Sequence, residues 1–317
     1  MLTLQQDRIE QGIIETGGSP LALEAGARLV DDWIRTNHEA DMAVRTVAVE
    51  MGFVLWADNA TLVIGVQDRV AQDEEDLFGC EWKSTKEPSS KWWNEEKWLA
   101  SIVNGPQLAT YALALHEAAY LERVPGQEKP KVHNFFIDNP RIMVRAAVKS
   151  NPTDFWPKDA ADGMYRFPNE KLKFVKAGLV NMAASIRAVR RTQRLPWQLT
   201  GQQCTAFNKQ CSFFESCQSH NHPIGVVGSL FDPHDPAAGL ALAHVEAERL
   251  ADPDLVVLSA SSYQTAARCK ELYRIQATVP GAKDGANDLA LATGSAMHGG
   301  LAEYYRQIKE YQENVEG

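Results

Sequence analysis

The stretch "LVIGVQDRVAQDEEDLFGCEWKST", residues 62–85, decides the fold. Both of its ends are apolar and rich in residues that favour extended structure, and a run of acidic residues separates them. This pattern predicts a strand over 61–70, an acidic turn over 71–77 and a second strand over 78–84. The two strands are therefore expected to pair.

Charged residues interrupt both predicted strands where core side chains are expected. Side chains alternate along a strand, so Glu81 and Lys83 share one face, and a short turn brings Asp68 beside Glu81. Two carboxylates this close repel each other unless a cation lies between them, and a divalent metal with oxygen ligands suits such a place. The alternative is an exposed hairpin whose charges form solvated salt bridges.

A helix is predicted directly after these strands, in "NGPQLATYALALHEAAYL" (residues 104–121), which starts at a Gly-Pro breaker. Within it, Gln107 and Tyr111 are four positions apart and so lie on one helix face. Both side chains are expected to point toward the site that Asp68 and Glu81 form.

The other predicted elements place this hairpin in a mixed α/β chain. The order is helix, three strands, helix, strands and helix, which is typical of an α/β or α+β core with a central mixed sheet. The remaining predictions are a helix over 21–38, a strand over 46–56, a hairpin formed by 131–140 and 141–150, and a long helix over 169–194.

Composition limits the class of protein. The chain has 317 residues, of which 44% are hydrophobic, and its net charge is −9. No apolar run is long enough to span a membrane, and the N-terminus lacks the pattern of a signal peptide, so we expect a soluble cytoplasmic protein. The acidic balance counts against a sequence-independent nucleic-acid binder, although it does not exclude a local basic groove.

Three of the five cysteines, Cys204, Cys211 and Cys217, lie within fourteen residues of one another. An odd total in an intracellular chain argues against a disulfide framework and favours metal or cluster ligation. Three thiolates call for a fourth ligand, for either zinc or an iron–sulfur cluster. His220 and His222 follow Cys217 and are an alternative source of ligands, although their place in the sequence favours exposed loop residues.

The order "GVQDRV", "CEWKST" and "QLATY" resembles the core of the PD-(D/E)XK nuclease superfamily, in particular its RecB-like branch. The resemblance implies a restriction-endonuclease-like core with a central mixed sheet flanked by helices. It also implies that Asp68 and Glu81 bind a metal, that Lys83 is catalytic, and that Gln107 and Tyr111 contact the site or DNA.

The cysteine triplet resembles that of the iron–sulfur nucleases of this branch, of the AddB type and the CRISPR-adaptation type. In those nucleases a fourth cysteine precedes the nuclease motifs. Here "LSASSYQTAARCKELYRI" and "GSAMHGGLAEYY" resemble that missing first part, so the resemblance implies Cys269 as the fourth cluster ligand and His298 as a metal ligand. The alternative is that Cys269 is a buried structural thiol and His298 an ordinary helix histidine.

The motif order is therefore expected to be permuted. Residues 1–224 would form the nuclease core with the cysteine triplet, 225–250 a linker, and 251–317 a segment that packs onto 1–224, so that the cluster staples a helical region to the core. A fragment in which 251–317 begins a second copy fits the same sequence.

The resemblance implies a DNA nuclease that uses Mg²⁺ or Mn²⁺ and carries a 4Fe–4S cluster, with zinc as the alternative. Its substrate would be single-stranded or end-containing DNA, in recombination, repair or end processing in bacteria or their phages, and more often as an exonuclease. A helicase or recombination partner is not identified. The competing hypothesis is a catalytically silent DNA-binding or scaffold module of the same fold.

Two further groups of residues have two interpretations each. Trp92, Trp93 and Trp98 can stack on the bases of single-stranded DNA or anchor a loop onto the core. The basic run from Arg187 to Arg194 can follow phosphates, or it can serve the helix C-terminus, which favours cations.

Overall fold

The helices and strands lie in the part of the chain that the computed structural model describes: residues 2–16, 18–74, 76–85, 95–103, 105–122, 130–148, 151–156, 163–192, 245, 247–250, 252, 254–259 and 289–316. The helices are α1 (Gln6–Ile14), α2 (Pro20–Met42), α3 (Glu95–Val103), α4 (Pro106–Glu117), α5 (Asn169–Thr192), α6 (Ala247–Leu250) and α7 (Leu289–Glu316). The strands are β1 (Arg45–Asp58), β2 (Thr61–Gln72), β3 (Leu77–Thr85), β4 (Ala119–Glu122), β5 (Lys131–Asn134), β6 (Arg141–Val148), β7 (Asn151–Trp156), β8 (Met164–Arg166) and β9 (Val256–Leu258).

All of these strands belong to one mixed sheet. Its order is β5-β4-β1-β2-β3-β6-β7, with β8 beside β6 and β9 beside β2. Strands β1, β2 and β3 form an antiparallel meander, whereas β6 runs parallel to β3 and β9 runs parallel to β2. The expected central mixed sheet flanked by helices is confirmed, and it fits a restriction-endonuclease-like fold.

Helices cover both faces of the sheet, which has a separate core on each side. One core joins the sheet to α4 and α5 through buried residues such as Phe53, Leu115 and Leu179. The other core joins it to α1, α2 and α7 through residues such as Trp33 and Tyr305. Because buried apolar surface stabilises each layer by about 25 cal/mol per Å², the sheet is held from both sides.

Helix α2 shows how local sequence sets the element bounds. Ser19 has an extended backbone, its side chain accepts a hydrogen bond from the N–H of Ala22, and Pro20 fills the first helical position. A serine cap followed by proline is a preferred helix start, because both satisfy or remove the N–H groups that have no helical partner.

Helix α7 lies against α1 and α2 at very short range. A methyl group built on Gly12 would lie 2.6 Å from the carbonyl oxygen of Gly299, closer than real Cβ atoms approach an oxygen. Glycine at both positions therefore lets the two backbones touch. The position of α7 on the sheet depends on this contact.

Two sequence predictions are wrong in detail. The helix predicted over 104–121 ends at Glu117, because the following residues form β4 and pair with β1. The predicted hairpin of 131–140 with 141–150 does not form: β5 pairs with β4, and β6 pairs with β3 on the other side of the sheet. Of the predicted linker 225–250, the structure describes residue 245 and α6, a single helical turn at its end.

Within the residues that the structure describes, no helix is both long and apolar enough to cross a membrane.

Candidate active site

The candidate site forms where β2 and β3 stop pairing. Their antiparallel ladder runs from Gln72 opposite Leu77 to Arg69 opposite Cys80. Two residues beyond Cys80 in β3, the N–H of Trp82 donates its hydrogen bond, at 2.8 Å, to Oδ2 of Asp68 instead of to a backbone carbonyl. The side chain of Asp68 thus replaces the next rung of the ladder, and its carboxylate is fixed at the opening between the strands.

Glu81 and Lys83 enter this opening from β3, which there pairs only with β6. The side chain of Glu81 is 2% exposed and forms an ion pair with Lys83, whose side chain is 25% exposed. A buried carboxylate is costly unless it is paired. The amine of Lys83 provides that pairing while it still reaches toward solvent.

Helix α4 supplies two further side chains to the site, those of Gln107 and Tyr111. The Oε1 of Gln107 accepts a hydrogen bond from the Nζ of Lys83 at 3.1 Å. Its Nε2 donates to Oε1 of Glu81 at 2.8 Å and to the Tyr111 hydroxyl at 3.0 Å. Because both ends of the amide are engaged, Gln107 fixes the distance between the carboxylate and the amine.

His298 reaches the site from α7, which packs on the opposite face of the sheet from α4. Its Nδ1 lies 3.6 Å from Oδ1 of Asp68, and its side chain is 30% exposed. Burial lowers the pKa of His298, but the neighbouring charge of Asp68 outweighs that effect and the pKa is raised. The structure therefore brings together Asp68, Glu81, Lys83, Gln107, Tyr111 and His298, the six residues predicted outside the cysteine group.

The electrostatics of the two carboxylates differ. Burial and the nearby charge of Asp68 raise the pKa of Glu81 to about 7. Burial also acts to raise the pKa of Asp68, but His298, Lys83 and the Trp82 N–H together lower it. Two buried acids with shifted pKa values at one opening are typical of a functional site.

The residues present fit a divalent cation in one respect. Oε2 of Glu81 is buried and has no hydrogen-bond partner among the residues that the structure describes, so one carboxylate oxygen at the site is left for an additional group. Among the described side chains, no group of three or more His, Cys, Asp and Glu residues is already arranged around a metal position. The other carboxylate oxygen of Glu81 instead contacts Lys83 and Gln107, and Oδ2 of Asp68 contacts the Trp82 N–H.

Glu50, in β1, is a further charged neighbour of Asp68. It lies in β1 between Val49, which faces Arg69, and Met51, which faces Gln67, so it stands across from Asp68. Its φ is 45°, an unfavourable value for a residue other than glycine. Its Oε2 pairs with Nη2 of Arg306 on α7 at 3.1 Å. No local sequence signal indicates this strained backbone.

Several predicted residues lie outside the described part of the chain: Cys204, Cys211, Cys217, Cys269, His220, His222, Trp92, Trp93 and Arg194. Of the tryptophan group, Trp98 is buried in the core beside α4. Of the basic run, Arg187 donates hydrogen bonds to the carbonyl of Ala60 and the hydroxyl of Thr61, and so holds the β1–β2 turn.

Comparison with known families agrees with this geometry. The fold and the site define a nuclease-type α/β protein. A family model of the PD-(D/E)XK nuclease superfamily matches residues 5–218, about two thirds of the chain, and the chain belongs to that superfamily. The match includes the motif residues on β2, β3 and α4 and the cysteine triplet, but it ends before Cys269 and His298. No curated protein and no solved structure matches the chain.

Proposed function

We propose that the chain is a metal-dependent deoxyribonuclease, of the RecB-like type and with exonuclease activity on DNA ends. The observation that supports this best is the meeting of Asp68, Glu81, Lys83 and His298 from three separate elements. They lie beside a buried carboxylate oxygen of Glu81 that has no hydrogen-bond partner within the described part of the chain. The superfamily generally uses divalent metals and acts on DNA. An acidic pair that only stabilised the fold would be expected to have all of its oxygens satisfied.

Asp68, Glu81 and His298 are the residues that would hold the cation. Oxygen ligands from carboxylates suit Mg²⁺ and Mn²⁺, and an imidazole nitrogen is a better ligand for Mn²⁺ than for Mg²⁺. When bound, such a cation polarises a phosphodiester and lowers the pKa of a water molecule. Its positive charge would also offset the repulsion between the two carboxylates.

Lys83 acts on the reacting groups in this proposal. Its side chain is partly exposed, and its amine is fixed by an ion pair with Glu81 and a hydrogen bond to Gln107. From that position an ammonium group donates hydrogen bonds to the attacking water or to the negative charge that develops on the phosphate. Gln107 and Tyr111 keep the amine in place, because turning the Gln107 amide would break three hydrogen bonds at once.

Replacement of Asp68 by asparagine tests the proposal. We expect the wild type to degrade labelled single- or double-stranded DNA with Mg²⁺ or Mn²⁺, and to stop when the metal is chelated. Asp68→Asn should lower the rate by about a hundredfold or more, because it removes a charge that binds the metal. Mn²⁺ at about a hundred times its Kd should stabilise the wild type by about 2.7 kcal/mol and the variant by much less.

Asp58→Asn is the matched control for this experiment. Asp58 accepts a hydrogen bond from the N–H of Ala60 in the β1–β2 turn, and an asparagine oxygen can accept the same bond. It should leave both activity and Mn²⁺ stabilisation unchanged. A wild type that binds DNA but leaves it intact with either metal would contradict the proposal and support the silent DNA-binding module.

We also propose that Cys204, Cys211, Cys217 and Cys269 bind a 4Fe–4S cluster. The support is the close spacing of the first three in the sequence and, for Cys269, the resemblance of its segment to the first part of the iron–sulfur nucleases. Anaerobically purified protein should then be brown and contain about four iron atoms per chain, and Cys269→Ala should lose the iron. Cys80→Ala is the control: burial raises the pKa of the Cys80 thiol to about 12, so it is a poor ligand. A colourless protein with one zinc per chain would exclude the iron–sulfur cluster.

A further inference from the structure

Trp82, the residue between Glu81 and Lys83, links the two halves of the candidate site. Its backbone N–H donates to Oδ2 of Asp68 at 2.8 Å. Its side chain points to the opposite face of the sheet, where it is 1% exposed and packs against α7. One residue therefore fixes the carboxylate through its main chain and contacts the histidine-bearing helix through its ring.

The indole of Trp82 contacts α7 at two points. It stacks on the ring of Tyr305, with ring centroids 4.6 Å apart and planes 9° apart. Its ring centroid is also 6.4 Å from that of His298. His298 and Tyr305 are seven positions apart, which places them on the same face of a helix two turns from each other. A slide or rotation of α7 past Trp82 would therefore move His298 relative to Asp68.

Tyr305 is itself fixed by polar contacts that simple packing would not need. Its hydroxyl donates to Oδ2 of Asp41 at 2.8 Å and accepts from Nε1 of Trp33 at 3.0 Å. The guanidinium of Arg69 lies 4.2 Å from the centre of its ring. The Tyr305 ring therefore has one defined position beneath Trp82.

Arg69 and Asp41 form a buried ion pair at 3.3 Å, and the Arg69 side chain is 1% exposed. Buried ion pairs add little stability compared with apolar side chains of the same volume, and their best-attested use is to select one arrangement of the elements. Arg69 follows Asp68 directly in β2. The arrangement of elements that the Arg69–Asp41 ion pair selects is therefore fixed next to the site residue Asp68.

We infer that Trp82 and Tyr305 are positioning residues, which set the register of α7 so that His298 and Asp68 bind one cation together. The inference rests on the proposed function, because it assigns these residues to the same site. Neither residue contacts the reacting groups through its side chain. The quantity they control is the affinity of the site for its metal, since a ligand must be held within about half an ångström of its productive position.

The neighbouring tyrosine gives a matched control. Tyr304 is buried, lies on the same helix and donates to the same oxygen of Asp41 at 3.3 Å. Its ring contacts are with His38 and Tyr305 rather than with Trp82. Tyr304→Leu and Tyr305→Leu should therefore cost similar thermal stability, whereas the stack on Trp82 is lost only in Tyr305→Leu.

The experiment measures the Kd for Mn²⁺ by calorimetry, and DNA cleavage at saturating DNA over a range of Mn²⁺ concentrations; the two readouts should shift together. Tyr305→Leu should raise the Mn²⁺ concentration for half-maximal activity at least tenfold, and Tyr304→Leu should change it less than twofold. Tyr305→Phe, which keeps the stack, should stay within about threefold of the wild type. If Tyr305→Leu does not fold, Trp82→Phe replaces it, with an expected rise of three- to tenfold.

Two outcomes would overturn the inference while the proposed function stands. One is an active wild type in which Tyr304→Leu and Tyr305→Leu raise the Mn²⁺ requirement equally. The other is a Tyr305→Leu or Trp82→Phe protein with an unchanged Mn²⁺ requirement. Failure of the proposed function itself appears earlier, as a wild type that neither cleaves DNA nor binds Mn²⁺ in calorimetry, and it removes the inference as well.

Discussion

Replacement of Lys83 by alanine is expected to lower the rate of DNA cleavage by about a thousandfold or more, because it removes the partly exposed amine of the site. Both carboxylates and His298 remain, so Mn²⁺ should still raise the thermal midpoint of the variant. The two measurements separate loss of chemistry from loss of metal binding. Cleavage of end-labelled DNA and a thermal scan with and without Mn²⁺ provide both.

Lys176→Ala is the matched control for this variant. Lys176 pairs with Glu117 at 2.7 Å, and its side chain is 34% exposed, so it resembles Lys83 in burial and pairing but lies on α5. We expect its activity to equal that of the wild type. A Lys83→Ala protein that kept a tenth or more of wild-type activity would contradict the catalytic assignment.

Replacement of Gly299 by alanine is expected to destabilise the fold and to inactivate the site. The added methyl group would overlap the carbonyl oxygen of Gly12 and come within 2.7 Å of Cγ2 of Thr16. Helix propensity alone predicts the opposite sign, a gain of about 1 kcal/mol. Overpacking against a backbone atom costs about 1–3 kcal/mol or more, so we expect a net loss in the free energy of unfolding.

The measurement is urea unfolding, combined with the cleavage assay. His298 precedes Gly299, so a displacement of α7 also moves the histidine away from Asp68. Gly18→Ala is the control, because its methyl group would lie 3.2 Å from the end of the Leu23 side chain, which can move, and 3.4 Å from Cβ of Ala22, an ordinary van der Waals contact. Equal stability of Gly299→Ala and the wild type would show that the contact between α1 and α7 is not tight.

The part of the site that β2, β3 and α4 form could be predicted from the sequence because its determinants are local. Strand alternation places Glu81 and Lys83 on one face, the short acidic turn brings Asp68 to them, and helical spacing aligns Gln107 with Tyr111. Each of these inferences depends on residues a few positions apart. The structure links four of these side chains, those of Glu81, Lys83, Gln107 and Tyr111, by hydrogen bonds and an ion pair. The Asp68 carboxylate is held beside them by the Trp82 N–H.

The pairing of β6 and the position of α7 with His298 depend on contacts between distant parts of the chain. Nothing in "RIMVRAAVKS" distinguishes a hairpin partner of 131–140 from a parallel neighbour of β3, because a buried apolar strand fits either place. His298 was expected at the site from a family resemblance and not from any periodicity. Alternation places Trp82 on the face of β3 opposite Glu81 and Lys83, but its stacking partner Tyr305 lies 223 positions later in the chain.

The long-range contact between Asp41 and Tyr305 spans 264 residues of chain. At a ribosomal rate of roughly 5–20 residues per second, the second partner emerges roughly 10 to 50 seconds after the first. During that interval the nascent polypeptide can fold the meander that carries Asp68 and Glu81, yet it lacks the helix that carries His298. In the proposed enzyme, translation itself would keep the unfinished nuclease harmless to DNA until the helix docks.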